Sequence, residues 1–468
     1  MTAELYKMTA REAVRSLKRG DVSPDELIDA ALARIKATDR AVNALPTLCP
    51  ERARKYASRV SRGSLLAGLP IAIKDLVEVA GVRTTWGSPI FADHVSQHSD
   101  VVVETLERNG GVVVAKSNTP EFGAGGNTFN EVFGPTRNPW NTVLTAGGSS
   151  GGAAVALAVG QVWLANGSDL GGSLRTPASF CGVVGLRQSP GLVAHGPKAD
   201  AFDTLAVDGP MARNVGDLAL MLDAMVGADP RDPLAVHPPA RSFSDHVAAP
   251  TMAKRIAFSA DLGSLPIARE VKEICTKAVR RFEGLGASVE EACPDLRDAG
   301  AIFQTLRAAK FVTGHAEKLL KHRNRLKPEM IWNIEKGLKL SAEDIGRATL
   351  ARSALLNRMA AFFADYDLLA CPASAVPPFP VEQRYVEEIE GHKLDNYMDW
   401  LTIAFPGTLA GCPAISIPCG FTADGRPVGL QIIGRPRGEA ALLEAAAIFE
   451  ADAGLAQKLP IDPRIGHS

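Results

Sequence analysis

Apolar residues at Leu27, Ile28, Ala31, Leu32 and Ile35 recur at three- and four-residue spacing, which places them on one face of a helix. Ser23-Pro24 ahead of them gives a capping residue followed by proline at the first helical position. An earlier helix is predicted from Thr9, where Glu12 three residues on completes a capping-box pattern, and Gly20 ends it. The two helices of residues 9–45 read as a layer packed on something larger. From Gly68 onward the pattern changes to short, unbroken apolar runs. Leu69–Ile73, Val112–Ala115 and Val162–Ala165 predict buried strands, and Val101–Arg108 and Gly151–Val159 predict helices between them. Strands without polar alternation, separated by helices, argue for an α/β sheet covered on both faces. Residues 228–253, rich in Pro, Asp and His, read as an exposed excursion, and residues 268–287 and 340–364 as helices. Leu368–Ala370, Ile415–Ile417 and Val428–Ile433 predict further strands of the same sheet.

Composition narrows the classes of partner. The 468 residues suffice for a large core without metal or disulfide staples. Lys plus Arg (51) and Asp plus Glu (52) nearly cancel, so neither nucleic acid nor an anionic membrane is expected as a partner. The seven cysteines are odd in number and none has CxxC spacing, as expected of free thiols in a reducing compartment. The opening MTAELYKMTAREAV has no apolar stretch of secretory type, and no apolar run approaches the roughly 20 residues of a spanning helix. The expected location is the cytoplasm. The nine histidines show no HExxH-like spacing, so a zinc amidohydrolase is disfavoured and no metal or cofactor is expected.

The chemistry concentrates in two glycine-serine segments, Ala146–Gly152 and Gly167–Arg175. Glycine this dense costs conformational entropy and is useful where backbone must approach another group closely. A phosphate-binding loop would need GK[ST] at its end, and Gly151-Gly152-Ala153 lacks it. Gly147–Gly151 matches the GxSxG of a nucleophile elbow, but that motif needs a strand before its serine and a late histidine. Pro139-Trp140-Asn141-Thr142 reads as loop, and His392 and His467 stand in no ordered-looking motif.

Taken together with a lysine, the two segments resemble the amidase signature family. Gly147–Gly152, Gly167–Ala178 and Cys181–Leu186 match its core run from GGSSGG through GSDxGGSxRxPA to CGVxGL. Gly68–Asp75 matches its lysine-bearing strand end, and Phe133–Trp140, Pro413–Pro418 and Gly429–Gly434 also fit, so the resemblance spans about residues 9–450. It implies Ser173 as nucleophile, Ser149 as a relay preceded by a cis peptide, and Lys74 as base. The two serines keep the family's separation of 24 positions. Serine is a weak nucleophile that needs a base, and lysine serves only when burial keeps it neutral. The backbone N–H groups of Leu170, Gly171, Gly172 and Ser173 are expected to form the oxyanion hole. Asp169, Arg175 and Ser150 read as scaffold.

The implied activity is hydrolysis of a small-molecule carboxylic amide through an acyl-enzyme. Gly125, Gly126 and Asn127 align with a substrate-lining loop. Asn396–Trp400 offers an aromatic wall or core packing, and His195 and Phe202 stand where other members place substrate-side groups. The expected fold is one α/β domain over residues 1–468, with a central mixed, mostly parallel twisted sheet covered by helices on both faces. Within it, 9–65 forms a helical layer, 66–227 the signature core, 228–365 a variable substrate-side region and 366–455 a return to the sheet. A homodimer is allowed as the assembly. The alternative is a glutaminase-type amidotransferase subunit working with a partner chain. Leu170, Ser173-Leu174-Arg175-Thr176 and Thr145-Ala146 depart from that subunit's usual Thr, SIRQ and Val-Pro.

Overall fold

The computed structural model describes residues 2–263 and 265–466. Helices α1 (Ala10–Arg19) and α2 (Pro24–Val42) each begin with a capping box, Thr9 with Glu12 and Ser23 with Glu26, and Gly20 closes α1 at φ 80°. The chain continues through β1 (Thr47–Leu48), α3 (Pro50–Ala57), β2 (Pro70–Lys74), α4 (Val101–Arg108), β3 (Val112–Ser117), α5 (Gly151–Ala158), β4 (Leu164–Asp169), α6 (Arg175–Cys181), β5 (Val184–Arg187), β6 (Val207–Ala212) and α7 (Val215–Met225). The middle stretch holds α8 (Phe243–Ala248), β7 (Arg255–Phe258), α9 (Arg269–Val279), α10 (Arg281–Gly284), β8 (Ser288–Glu291), α11 (Ala299–His322), α12 (Pro328–Leu338) and α13 (Ala342–Asp365). Then come β9 (Leu368–Pro372), the small hairpin β10 (Glu388–Ile389) and β11 (His392–Lys393), α14 (Phe405–Leu409), β12 (Ala414–Phe421), β13 (Pro427–Gly434) and α15 (Glu439–Ala453).

Eleven of these strands form one sheet in the order β1-β3-β2-β4-β6-β5-β12-β13-β9-β7-β8. Successive side chains point to opposite faces, and both faces are covered, which is why the runs carry no polar alternation. Ile71, Ile73, Val113 and Leu164 pack with α1, α4 and α7 on one face. Ala72, Val112, Val114 and Ala165 pack with α3, α5 and the Ile28 and Ile35 side chains of α2 on the other. The protein is a single α/β domain around this mixed sheet.

Four expectations need correction. The sheet is mixed, but its direction is not mostly parallel: among the described residues six of its ten pairings are antiparallel and four are parallel. Helical crossovers are visible as sequence pattern, whereas β12 and β13 are joined by a tight turn at Thr422–Arg426, and short connections return the chain antiparallel. β5 and β6 are joined by a helix-free loop and are likewise antiparallel. The strand expected at Val162–Ala165 lies at Leu164–Asp169, because Asn166, Gly167, Ser168 and Asp169 extend the ladder opposite Pro210, Gly209, Asp208 and Val207. The excursion at 228–253 contains α8, anchored by buried Phe243, and the helix expected at 268–287 is broken after Val279 into α9 and α10.

The small residues opening α5 let it sit against the end of β3. A Cβ on Gly152 would stand 2.3 Å from the Asn118 nitrogen and 2.6 Å from the Ala44 oxygen, both backbone atoms that cannot swing aside. Ala normally gains about 1 kcal/mol over Gly inside a helix. Here the overlap outweighs that gain, so Gly152→Ala should destabilise the protein by about 1–3 kcal/mol. The expected observation is a lower urea midpoint at an unchanged slope.

Candidate active site

Lys74 is the last residue of β2, and the two-residue period sends its side chain to the face that Ala72 shares with α5. There Nζ donates to Ser149 Oγ at 2.7 Å, Ser150 Oγ at 2.8 Å and Ser168 Oγ at 3.0 Å. Its backbone N–H donates to Asn166 Oδ1 at 2.7 Å, which ties β2 to β4. Among the described residues no carboxylate forms an ion pair with it. Burial pulls Lys74 down to about 7, and the more distant charges of Asp208 and Asp169 only partly oppose this. Asp208 faces Ser168 across the β4–β6 ladder, which places it near the lysine.

A cavity of about 390 Å³ opens over these hydroxyls, and Ser149, Ser168 and Ser173 all lie in its wall. The Gly148–Ser149 peptide is cis. The two glycine-serine segments are tied together where the Ser150 N–H donates to the Ser173 carbonyl at 3.1 Å. No hydrogen bond joins the Ser149 and Ser173 hydroxyls among the described residues; Ser149 Oγ is engaged by Lys74, while Ser173 remains partly exposed to the cavity. The elbow geometry around Ser149 is absent, since the described residues just before it form no strand and carry only isolated bridges at Leu144 and Thr145. His392 sits exposed on the β10–β11 hairpin, and His467 lies outside the described residues.

The turn that follows β4 is fixed by one buried carboxylate. Asp169 accepts from the N–H groups of Gly172 at 3.1 Å and Leu174 at 3.0 Å, and from Arg175 Nε at 3.1 Å and Nη2 at 2.9 Å. Arg187 adds a second guanidinium 3.5 Å away and donates to the Asp169 carbonyl at 2.7 Å. Burial alone would raise this carboxyl; the two guanidinium groups and the backbone donors instead hold it well below the usual range. Arg175 also reaches Gln431 Oε1 at 2.6 Å and the Ala404 carbonyl at 2.9 Å, anchoring the turn to β13 and to the segment before α14. Asp169 and Arg175, read as scaffold from the sequence, form a fully buried ion pair that holds this turn. The expected set of oxyanion donors changes, however. The Gly172 N–H is committed to Asp169, whereas those of Leu170, Gly171 and Ser173 have no acceptor among the described residues.

The expected substrate loop is only partly at the cavity. Gly125 lines it. Gly126 does not: a Cβ there would stand 2.3 Å from Trp400 Cζ2, so this glycine makes room for the buried indole. Asn127 is spent on scaffold bonds, donating to the carbonyls of Val381 at 3.1 Å and Gln383 at 2.8 Å and accepting from Thr145 Oγ1 at 2.6 Å. Within Asn396–Trp400, Met398 lines the cavity while Tyr397 and Trp400 are core. His195 is in the wall, its Nδ1 2.5 Å from Asp208 Oδ2, and Phe202 is exposed.

Sequence reasoning missed two contributors. Ser168 is the third hydroxyl on Lys74; it stood inside the GSD motif, whose strand was ended too early. The inner face of α11, which supplies Arg307, Lys310, Phe311 and His315 to the cavity, had no motif to mark it. Glu78, His98 and Asp100 bring metal-ligand-type atoms within 4.8 Å of one another, but none of the three lines this cavity. No described helix is long and apolar enough to cross a membrane.

Comparison with known proteins agrees with the motifs. An acylamidase of Rhodococcus erythropolis is 38% identical over 471 residues, covering 98% of each chain. A glutamyl-tRNA(Gln) amidotransferase subunit of Moorella thermoacetica is 35% identical over 479 residues, covering 96% of this chain and 97% of its own. The crystal structure of a bacterial aryl acylamidase belonging to the amidase signature enzymes superposes with a TM-score of 0.91 at 27% identity, covering 97% of this chain and 98% of that one. With the Amidase family profile matching residues 26–443, the chain belongs to the amidase signature family.

Proposed function

We propose that this amidase hydrolyses a small-molecule carboxylic amide to the acid and ammonia or an amine, through an acyl-enzyme on Ser173. The observation that carries the reading is a fully buried lysine, pulled down to about 7, hydrogen-bonded at 2.7 Å to a serine in the wall of a cavity that also presents Ser173. A neutral Lys74 accepts the Ser149 proton as Ser149 accepts that of Ser173, and Ser173 Oγ bonds to the amide carbon. The oxyanion then rests on the free N–H groups of Leu170, Gly171 and Ser173. The proton returns through Ser149 to the leaving nitrogen as the C–N bond breaks. Water, deprotonated by the same relay, releases the acid and restores the serine. Residues 228–365 act as the substrate side, a role supported by the α11 residues in the cavity wall. A cytoplasmic setting is supported by seven free thiols, six of them buried.

The amidotransferase relatives favour one second reading, a glutaminase-type subunit that works with a partner chain. Identity to the acylamidase is higher, and the departures at Leu170, 173–176 and Thr145-Ala146 point the same way. A screen for amine or ammonia release across aliphatic, aryl and amino-acid amides, with glutamine and acceptor tRNA as a separate arm, distinguishes them. Turnover of simple amides by the isolated chain supports the hydrolase; turnover of glutamine alone, dependent on a partner, supports the subunit.

Two predictions test the chemistry. Ser173→Ala should abolish both hydrolysis and labelling by a fluorophosphonate probe, and labelling at the wild-type rate would overturn the nucleophile assignment. Lys74 acts only when neutral, so protonation below its shifted pKa removes the base: kcat/KM should rise with pH through a limb near 7. Lys74→Ala should lower kcat by roughly a hundred- to ten-thousand-fold and erase that limb. A variant that keeps the limb would place the base elsewhere.

A further inference from the structure

Phe303, Arg307, Phe311 and His315 recur every four positions on α11 and therefore share one face of the helix. Phe303 packs on the candidate oxyanion turn: a Cβ on Gly171 would stand 3.0 Å from its Cζ, and its ring stacks on Phe405 at 3.8 Å. The other three line the cavity. Arg307 thus sits one turn, roughly 6 Å along the helix axis, from the side chain that rests on Gly171.

Arg307 is 3% exposed. Its Nη1 donates to Asn333 Oδ1, and its guanidinium carbon lies 4.0 Å from the Phe311 ring centroid. Burial works against its charge, and the Tyr397 hydroxyl, which also accepts from Asn333 Nδ2, only partly opposes this. Its neighbours are neutral oxygens and an aromatic ring, and among the described residues no carboxylate pairs with it. The contrast with the neighbouring cations is informative. Lys310, also in the cavity wall, is matched by Asp203 at 2.5 Å, and Lys198 is partly exposed to water. A guanidinium cannot shed its charge as a buried lysine can. Buried without a counter-charge it is costly, and an amide oxygen plus an aromatic face satisfy only part of its five-donor fork. Further along this face Phe122 and His315 meet at a tilt with ring centroids 4.7 Å apart, and burial pushes His315 down to about 3, so that ring brings no competing charge.

We infer that the substrate amide carries a carboxylate, received by the Arg307 fork, on an apolar body that lies against Phe311 and Phe122. This inference rests on the amidase reading of the same cavity and adds the chemical class of its substrate. Arg307 is then a specificity-determining residue, acting on recognition rather than on the proton relay. The carboxylate can sit on the acyl side or the amine side of the scissile bond, and the experiment separates these.

Two matched pairs are assayed for amine release. Glutaryl mono-4-nitroanilide is compared with hexanoyl 4-nitroanilide, and the hexanoyl amide of 4-aminobenzoate with that of 4-methylaniline. The expected result is that the anionic member of at least one pair is preferred in kcat/KM by about tenfold or more, mainly through KM, the size of a charge-assisted hydrogen bond. Arg307→Gln should bring that ratio close to one, and Arg307→Lys, which keeps the charge but not the fork, should restore part of it. A structural role for Arg307 would instead depress both members of a pair alike, and the ratio would survive. No preference in either pair for the wild-type enzyme, or an unchanged ratio in Arg307→Gln, overturns the inference. If the neutral amides are cut without preference, the inference fails while the amidase reading stands. If no amide is cut and Ser173 takes no fluorophosphonate, both fall together.

Discussion

A buried ammonium with no carboxylate beside it is under constant pressure to lose its proton, and Lys74 is held in that condition. The neighbouring strand provides a control within the same molecule. Lys116 of β3 is equally buried, yet its Nζ lies 3.1 Å from Asp75 Oδ1 and donates to Thr84 Oγ1 at 2.8 Å. Burial lowers both lysines, but Asp75 pulls Lys116 back toward the charged form. Lys74 has three hydroxyls instead, which can all accept from the ammonium or, with the neutral amine, take two N–H bonds while the third donates to its lone pair, so neither state is fixed. Two lysines on adjacent strands therefore diverge: one closes a structural ion pair, the other stays poised to exchange a proton. The difference lies in the partner residues, since depth of burial is the same.

The poise of Lys74 depends on keeping acids at a distance, and Asp169 is where the structure handles this. Its carboxylate is only a few residues from the serine turn and would otherwise draw a proton onto the lysine. Arg175 and Arg187 neutralise it on the far side, and the Gly172 and Leu174 amides take up the remaining lone pairs. Removing one partner of such a buried set typically costs about 3–5 kcal/mol. The cluster thus shapes the turn, spends one glycine amide on that shape, and leaves three amides free. The two guanidinium groups that hold this carboxylate in the turn also limit the charge it presents to Lys74.

Much of this was legible in the chain, for identifiable reasons. The Thr9 and Ser23 capping boxes and the stripe of α2 are local patterns, and local patterns survive into the fold. The lysine and the two serines were legible because glycine-dense segments are rare enough to be matched as motifs. Gly126 and Asn127 were not, because a small residue beside a cavity and a small residue beneath a buried indole look the same in sequence; only Trp400, more than 270 positions away, tells them apart. Strand direction escaped for a related reason. A helical crossover advertises itself by its period, but the turn at Thr422–Arg426 and the helix-free link from β5 to β6 do not. The α11 wall was illegible because its inner face alternates Phe, Arg, Phe and His, a mixture that reads as neither apolar stripe nor polar face.

On the proposed mechanism, that mixture divides two tasks between two parts of the fold. The groups proposed to move protons come from strand ends and a helix start within residues 74–173, where register and backbone bonds leave little freedom. Lys74 is fixed by Asn166 and three hydroxyls, and the serine turn by Asp169. On the same reading the groups that meet the rest of the substrate come from α11, which packs on that frame, and from the loop between β5 and β6, which is tied to it where Arg187 bridges the Asp169 and Leu205 carbonyls. Phe303 is the point of contact, touching Gly171 through its ring alone. A side chain one turn further along can change what the cavity accepts without altering the field around Lys74. On that reading, relatives named as acylamidases and as amidotransferase subunits can align with the chain over nearly its whole length because the frame is common, with selectivity assigned to a helix attached to it.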